Sequence, residues 1–285
     1  MTMNSHRLPD ATHVGTVHLQ VSDLDRSIRW YGDVLGMRVT ARDGAQATLA
    51  AHGDDRPLVV LHERAGAAPV PPHARLGLYH FAILLPDRAS LGRFVQHVAD
   101  LGVRVGAGDH LVSEAFYLHD PDGLGIEVYA DRPRSAWHIT PEGVEMATLP
   151  VNVDELLALT NGERWDGMPA GTVMGHVHLH VGSLAEALAF YGDAIGLDQM
   201  AAIPGAGFLS AGGYHHHLGV NTWARNAPSA GEHEARLIEW TLVLPTAADA
   251  AAVAERIRGA GGLVEASGAA WVARDPWGTA VRVTA

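Results

Sequence analysis

The chain has 285 residues, 47% of them apolar and 18% charged, with a net charge of -12. That is enough chain for two ordinary cores, and so acidic a surface repels phosphate backbones and excludes nucleic acid as a natural partner. There is no cysteine, so disulfides, thiolate metal sites and cysteine nucleophiles are out, whereas histidine is abundant at 18 residues. The opening MTMNSHRLPD lacks the apolar core of a signal peptide, and no apolar run is long enough to span a bilayer. The expectation is a cytoplasmic protein with no membrane partner.

In chain order, the first element is an alternating strand in GTVHLQV, from Gly15, with Asp23 placed to cap a helix. LDRSIRWYGDVLG then reads as an amphipathic helix ended by Gly36, and QATLAAH and PLVVLHE as further strands. LYHFAILLPD, from Leu78, opens a second unit with its cap at Asp87, and DPDGLGIEVYA, from Asp120, closes it. Residues 132–171 break the pattern, with Pro133, Pro141, Pro150 and Pro169 and one short helix near Val153 to Thr160. So long a stretch reads as a linker that crosses a real distance. GHVHLHVGSLAEALAFYGDAIGL, from Gly175, repeats the opening unit at an offset of 160 residues, capped at Ser183. LIEWTLVLPTAADA, from Leu237 and capped at Thr246, repeats the second unit, with DPWGTAVRVTA from Asp275 as its closing strand.

The chain is therefore α+β, four βαβββ modules arising by duplication. Modules 1 and 2 make an N-terminal domain over 11–131, 132–171 is the linker, and modules 3 and 4 make a C-terminal domain over 172–285. Equivalent positions can be compared inside this one sequence. Seven residues before each helix cap stand Thr16, His80, His176 and Glu239. Four residues after the DPxG glycine stand Glu127 in module 2 and Arg282 in module 4, and a guanidinium cannot replace a carboxylate ligand. Glu127 lies in IEV, between apolar neighbours on a strand, where a bare carboxylate is costly and needs a metal or a partner.

The opening strand with its polar cap, the WYGD/FYGD helix end and the DPDGLGIE closing strand resemble the vicinal oxygen chelate superfamily of glyoxalases, bleomycin-resistance proteins and extradiol dioxygenases, over nearly all of both halves. YHFAILLPD and GGYHHHLGVNTW look most like its catechol 2,3-dioxygenase-type members. The resemblance implies modules paired into two cupped barrels, and a metal site of His80, Glu127 and His176, the two-histidine, one-carboxylate set of non-haem Fe(II) enzymes; Mn(II) accepts the same set. His178, on the same strand face as His176, matches His18 of module 1, which leaves it open as a shared structural or pocket histidine. GGYHHHLGVNTW reads as the last strand of module 3, with His215 and His217 on the face opposite His216, so one face of the triplet enters the barrel; the resemblance further implies His216 as the acid–base histidine. It places Tyr117, ten residues before Glu127, on a substrate oxygen, with packing as its alternative. His110, Asn221 and Trp223 are the remaining pocket candidates, Trp223 with a packing role as the alternative. Asp120 and Asp122 read as turn residues.

Modules 3 and 4 cannot complete the ligand set, nor can modules 1 and 2, whereas modules 2 and 3 together can. The expectation is that module 2 packs against module 3, and module 1 against module 4. The implied activity is extradiol cleavage of a small aromatic diol with O2 at Fe(II), giving 2-hydroxymuconic semialdehyde. The alternatives are hydroquinone ring cleavage, a glyoxalase-like metal-dependent lyase or isomerase, and a non-enzymatic drug-sequestering protein. Nothing in the sequence sets the oligomeric state, which leaves room for a homo-oligomer.

Overall fold

The computed structural model describes residues 7–71, 73–141 and 143–285; the first six residues of the opening segment lie outside it. The α+β fold expected from the modules is present as two curled eight-stranded sheets. One runs, in spatial order, Val264–Ser267, Ala270–Arg274, Ala280–Thr284, Arg236–Val243, His13–Val21, Val59–Glu63, Gln46–Ala50 and Arg38–Asp43. The other runs Asp198–Ile203, Ala206–Ser210, Leu218–Asn221, Val173–His180, Gly77–Leu84, Gly125–Asp131, Ser113–His119 and Gly106–Asp109. Modules 1 and 4 thus share one sheet and modules 2 and 3 the other, as the ligand register requires. Each sheet is joined at its centre by the opening strands of its two modules, antiparallel: His13–Val21 with Arg236–Val243, and Val173–His180 with Gly77–Leu84. Neither half of the sequence closes a sheet alone, because both central joints cross between the halves.

The local signals act as read. Asp23, Asp87, Ser183 and Thr246 each accept the backbone N–H three residues on, at 2.8, 2.7, 3.4 and 3.1 Å, so all four modules start their helix with a side-chain cap. The third helix departs from the α pattern, widening to π turns over Leu188–Ile195. Asp120 and Asp122 do more than turn the chain. Asp120 accepts from the backbone N–H groups of Asp122 and Leu124 and faces the hydroxyl of Tyr31 at 3.3 Å, and Asp122 accepts from Ser22 and Arg26. Tyr191 donates to Asp275 at 2.9 Å in the repeat. The YGD tyrosine of one module is therefore clasped by the DPxG aspartate of the next.

The core between sheets and helices is filled by large side chains such as Trp240, Tyr31, Tyr191, Phe81 and Phe94, all fully buried. Residues 132–171 contain a short hairpin, Ile139–Thr140 with Gly143–Val144, and a helix, Val153–Ala158. The segment is not only a connection, because Met146, Ala147 and Thr148 lie along the cavity described next. Among the described residues no helix is long and apolar enough to cross a membrane.

Candidate metal centre and active site

His80, Glu127 and His176 stand on three adjacent strands at the centre of the module 2–module 3 sheet. His80 is opposite His178 across the antiparallel joint, and Ala82, next but one to His80, is flanked by His176 on one side and Glu127 on the other. All three side chains are buried, and they form the one group of three metal-ligating side chains found among the described residues. Close approach depends on glycine. A Cβ on Gly125 would lie 2.0 Å from the Tyr79 carbonyl, and one on Gly219 would lie 2.7 Å from the His178 ring, so both strands must be bare there.

Glu127 Oε2 lies 3.0 Å from His80 Nε2 and 3.2 Å from His176 Nε2. Neighbouring donors on an octahedral divalent ion with bonds of about 2.1 Å are about 3.0 Å apart, so both spacings suit adjacent ligands of one cation. His80 Nε2, although 3.0 Å from the carboxylate, is buried without a hydrogen bond of acceptable direction. A lone pair aimed past a carboxylate rather than at it is what ligation requires. Burial, only partly offset by Glu127, keeps the His80 pKa below its ordinary value. Burial would raise Glu127, but His176 and His80 outweigh it and hold that carboxyl well below the usual range. Neutral imidazole with an ionised carboxylate is the protonation state that a divalent metal binds.

Beside this group opens a cavity of about 380 Å³, lined by Tyr79, His110, Tyr117, His178, His216, Phe208 and Trp223 among others. His110 and Tyr117 form a directed pair. The Ala147 carbonyl, 2.7 Å from His110 Nδ1, can only accept, so the His110 proton is on Nδ1 and Nε2 accepts the Tyr117 hydroxyl at 2.6 Å. Burial first, then Glu127, raises the Tyr117 pKa well above its ordinary value, so the phenol keeps its proton.

The histidine triplet is not part of a strand, contrary to the assumption behind its expected alternation, because the strand begins at Leu218. Residues 211–217 turn back on themselves, and all three rings are buried in different directions. His216 packs 4.0 Å from His176, ring to ring, and lines the cavity; His215 reaches Asp131, and His217 reaches Ser210. Burial, then the neighbouring His176 and His215, pushes the His216 pKa well below its ordinary value, leaving a neutral ring.

Asn221 does not line the cavity, a departure from its expected role as a pocket residue. The Trp223 backbone N–H donates to its Oδ1 at 3.1 Å, which orients the amide; that oxygen also takes His180 Nδ1–H at 2.7 Å, and Nδ2 donates to His178 Nε2 at 3.0 Å. Asn221 therefore clamps the cavity histidine His178 from behind. Trp223, 47% exposed, lines the rim instead of packing in the core. Sequence reading missed Tyr79, although it opens the YHFAILLPD motif beside His80, and it missed Phe208, Ile203 and the 146–148 wall, which carry no motif.

A sheet of paired modules with two histidines and a glutamate at its central joint defines a protein of the glyoxalase fold class whose site could hold a metal. The family model described as "Glyoxalase/Bleomycin resistance protein/Dioxygenase superfamily" matches residues 12–128 and 173–283, and the chain belongs to that superfamily. It is 45% identical over 269 residues to the catechol-2,3-dioxygenase of Bacillus subtilis (strain 168), covering 93% of this chain and 94% of that protein. Among solved structures it resembles one from Bacillus subtilis subsp. subtilis strain 168 (TM-score 0.67, 11% identity, 97% of this chain and 85% of the other). It also resembles glyoxalase I from Zea mays (TM-score 0.55, 17% identity, 96% and 92%). At those identities the two structures speak for the fold. The superfamily and the catechol-2,3-dioxygenase relative together support an enzyme with an extradiol dioxygenase-like role.

Proposed function

We propose that the protein is a non-haem Fe(II) extradiol dioxygenase that opens catechol-type rings beside the diol, giving 2-hydroxymuconic semialdehyde. The observation that carries the reading is that the His80–Glu127–His176 group opens, through His80 and Glu127, on the cavity that a neutral His216 and the Tyr117–His110 pair also line. His80, Glu127 and His176 would hold the metal, and Mn(II) fits the same donors. Fe(II) supplies, when bound, the Lewis acidity that lowers the pKa of a diol hydroxyl and the one-electron chemistry with O2 that no side chain here provides.

The protein's own contribution is acid–base and positional. His216 takes a proton from the substrate hydroxyl and later returns it. Tyr117, its hydroxyl directed toward His110, presents its oxygen lone pairs as an acceptor toward the substrate end of the cavity. Phe208, Trp223, Ile203 and Met146 supply an apolar wall for the ring and its substituent. All 20 basic residues of the chain are arginine, and none is among the described residues that line the cavity. A carboxylate substituent would therefore be held there without a guanidinium or ammonium partner, which favours an uncharged one.

The test is anaerobic reconstitution with Fe(II), followed by O2 and a panel of catechols and hydroquinones. O2 uptake with a yellow ring-fission product from catechol is the expected result. A protein that takes up iron and consumes no O2 with any of them is not a ring-cleaving dioxygenase.

A further inference from the structure

We propose that Asp131 and His215 form a relay that sets the tautomer of His216, making its cavity-side nitrogen the base. The proposal rests on the assignment of His216 as the acid–base group.

Asp131 ends the strand that carries Glu127 and lies on the same face, four residues further on. Its Oδ1 is 2.9 Å from His215 Nε2, and His215 Nδ1 is 2.8 Å from His216 Nδ1. A carboxylate can only accept, so His215 Nε2 carries the proton and, in the neutral ring, Nδ1 is a bare acceptor. The His215–His216 contact then forms only if His216 Nδ1 is the donor. That leaves His216 Nε2 with a free lone pair. When the substrate O–H bond breaks, its proton goes to Nε2, and the positive charge on His216 is faced, through His215, by the Asp131 carboxylate. The proton returns by the same route, and no other reactant is consumed.

The surroundings keep this chain in one geometry. The His215 ring is fully buried between Tyr214, at 4.0 Å, and Trp137, at 5.3 Å. The Tyr214 hydroxyl donates to Asp131 Oδ1 at 3.3 Å and bonds the Tyr129 hydroxyl at 2.7 Å. Three consecutive histidines are thus divided between tasks. His216 faces substrate, His215 positions it, and His217, bonded by Ser210 and the Ala211 N–H, holds the turn. Asp131 and His215 are positioning residues, because neither lines the cavity.

Asp131→Asn in the Fe(II)-loaded full chain separates this role from packing, because an amide nitrogen can donate to His215 Nε2 and impose the wrong tautomer. The expected result is a kcat for catechol lower by about 100-fold or more, with KM within about threefold and iron content unchanged. Asp131→Glu should recover kcat to within about tenfold of the parent. If the asparagine variant loses iron or fails to fold, His215→Gln and His215→Leu replace it. The glutamine oxygen can still accept from His216 Nδ1–H and keeps kcat about tenfold or more above the leucine variant. Parental kcat in Asp131→Asn, or equal rates in the two His215 variants, alongside an inactive His216→Ala, overturns the relay and leaves the assignment of His216 standing. Parental kcat in His216→Ala overturns both.

Discussion

Arg282 Nε donates to Glu239 Oε1 at 2.6 Å, and this ion pair occupies in one sheet the place that Glu127 and His80 occupy in the other. Glu239 faces His18 across its central joint as His80 faces His178, and Thr241 flanks Arg282 as Ala82 flanks Glu127. The duplicated fold has two equivalent centres. In one, a carboxylate meets imidazoles and can share a cation with them; in the other, it meets a guanidinium that already neutralises it. Arg282→Met should therefore leave iron stoichiometry and kcat at parental values. Stability should fall by about 1–3 kcal/mol, because the half-buried Glu239 carboxyl loses its guanidinium partner. Urea denaturation with an iron assay on the same samples checks both halves of the statement.

Glu127→Gln removes the carboxylate that, among the described residues, faces both His80 and His176. Iron affinity should drop by more than the about 10–100-fold seen on losing an outer-shell partner, with circular dichroism unchanged. Elemental analysis after dialysis against Fe(II) decides it; full iron occupancy in Glu127→Gln would place the metal elsewhere.

Because both central joints cross between the halves, residues 1–131 expressed alone should not bind iron, nor should residues 132–285 alone. Mixing or co-expressing the two should restore iron binding and O2 uptake together. A fragment that binds iron alone would contradict the sheet order.

Stability should peak near pH 6.5. Burial lowers His217 to about 3, and burial, despite the Asn221 hydrogen bond, lowers His180 to about 4. In the unfolded chain both take a proton near 6.5, so below that pH the unfolded state binds more protons and stability is lost as the pH falls. Asp120 acts the other way. Burial raises it to about 7 against 3.8 unfolded, so its contribution is full below 3.8 and is lost as pH rises through about 7. Each group changes stability by about 1.4 kcal/mol per pH unit inside its window, so two histidines outweigh one aspartate below 6.5. Urea midpoints at pH 5, 6.5 and 8 check the shape, and Asp120→Asn should reduce the alkaline decline, to which Asp275, also raised by burial, adds in the same sense.

A substituent's charge should matter more than its shape. 4-Isobutylcatechol and 3,4-dihydroxyphenylacetate are close in shape, yet the neutral compound should have kcat/KM higher by about 100-fold, the effect of a few kcal/mol for burying an unpaired charge. The same order should appear in anaerobic binding to the Fe(II) protein, followed by tryptophan fluorescence.

Much of this is legible in the sequence alone. The four helix caps, the duplication and the equivalence of Thr16, His80, His176 and Glu239 follow from local pattern, because cap chemistry and strand alternation act within a few residues. Thr16 and Glu239 in place of histidine, with Arg282 in place of a carboxylate, leave modules 2 and 3 as the pair that completes the set. What only the tertiary structure decided depends on contacts between segments far apart in sequence. The His215–His217 turn defeats alternation because its rings answer to Asp131, His176 and Ser210 rather than to a neighbouring strand. Asn221 serves His178 and not the cavity, and a segment read as linker supplies the carbonyl of Ala147 that orients His110. Hydrogen-bond direction is a property of pairs, and no single position in the sequence carries it.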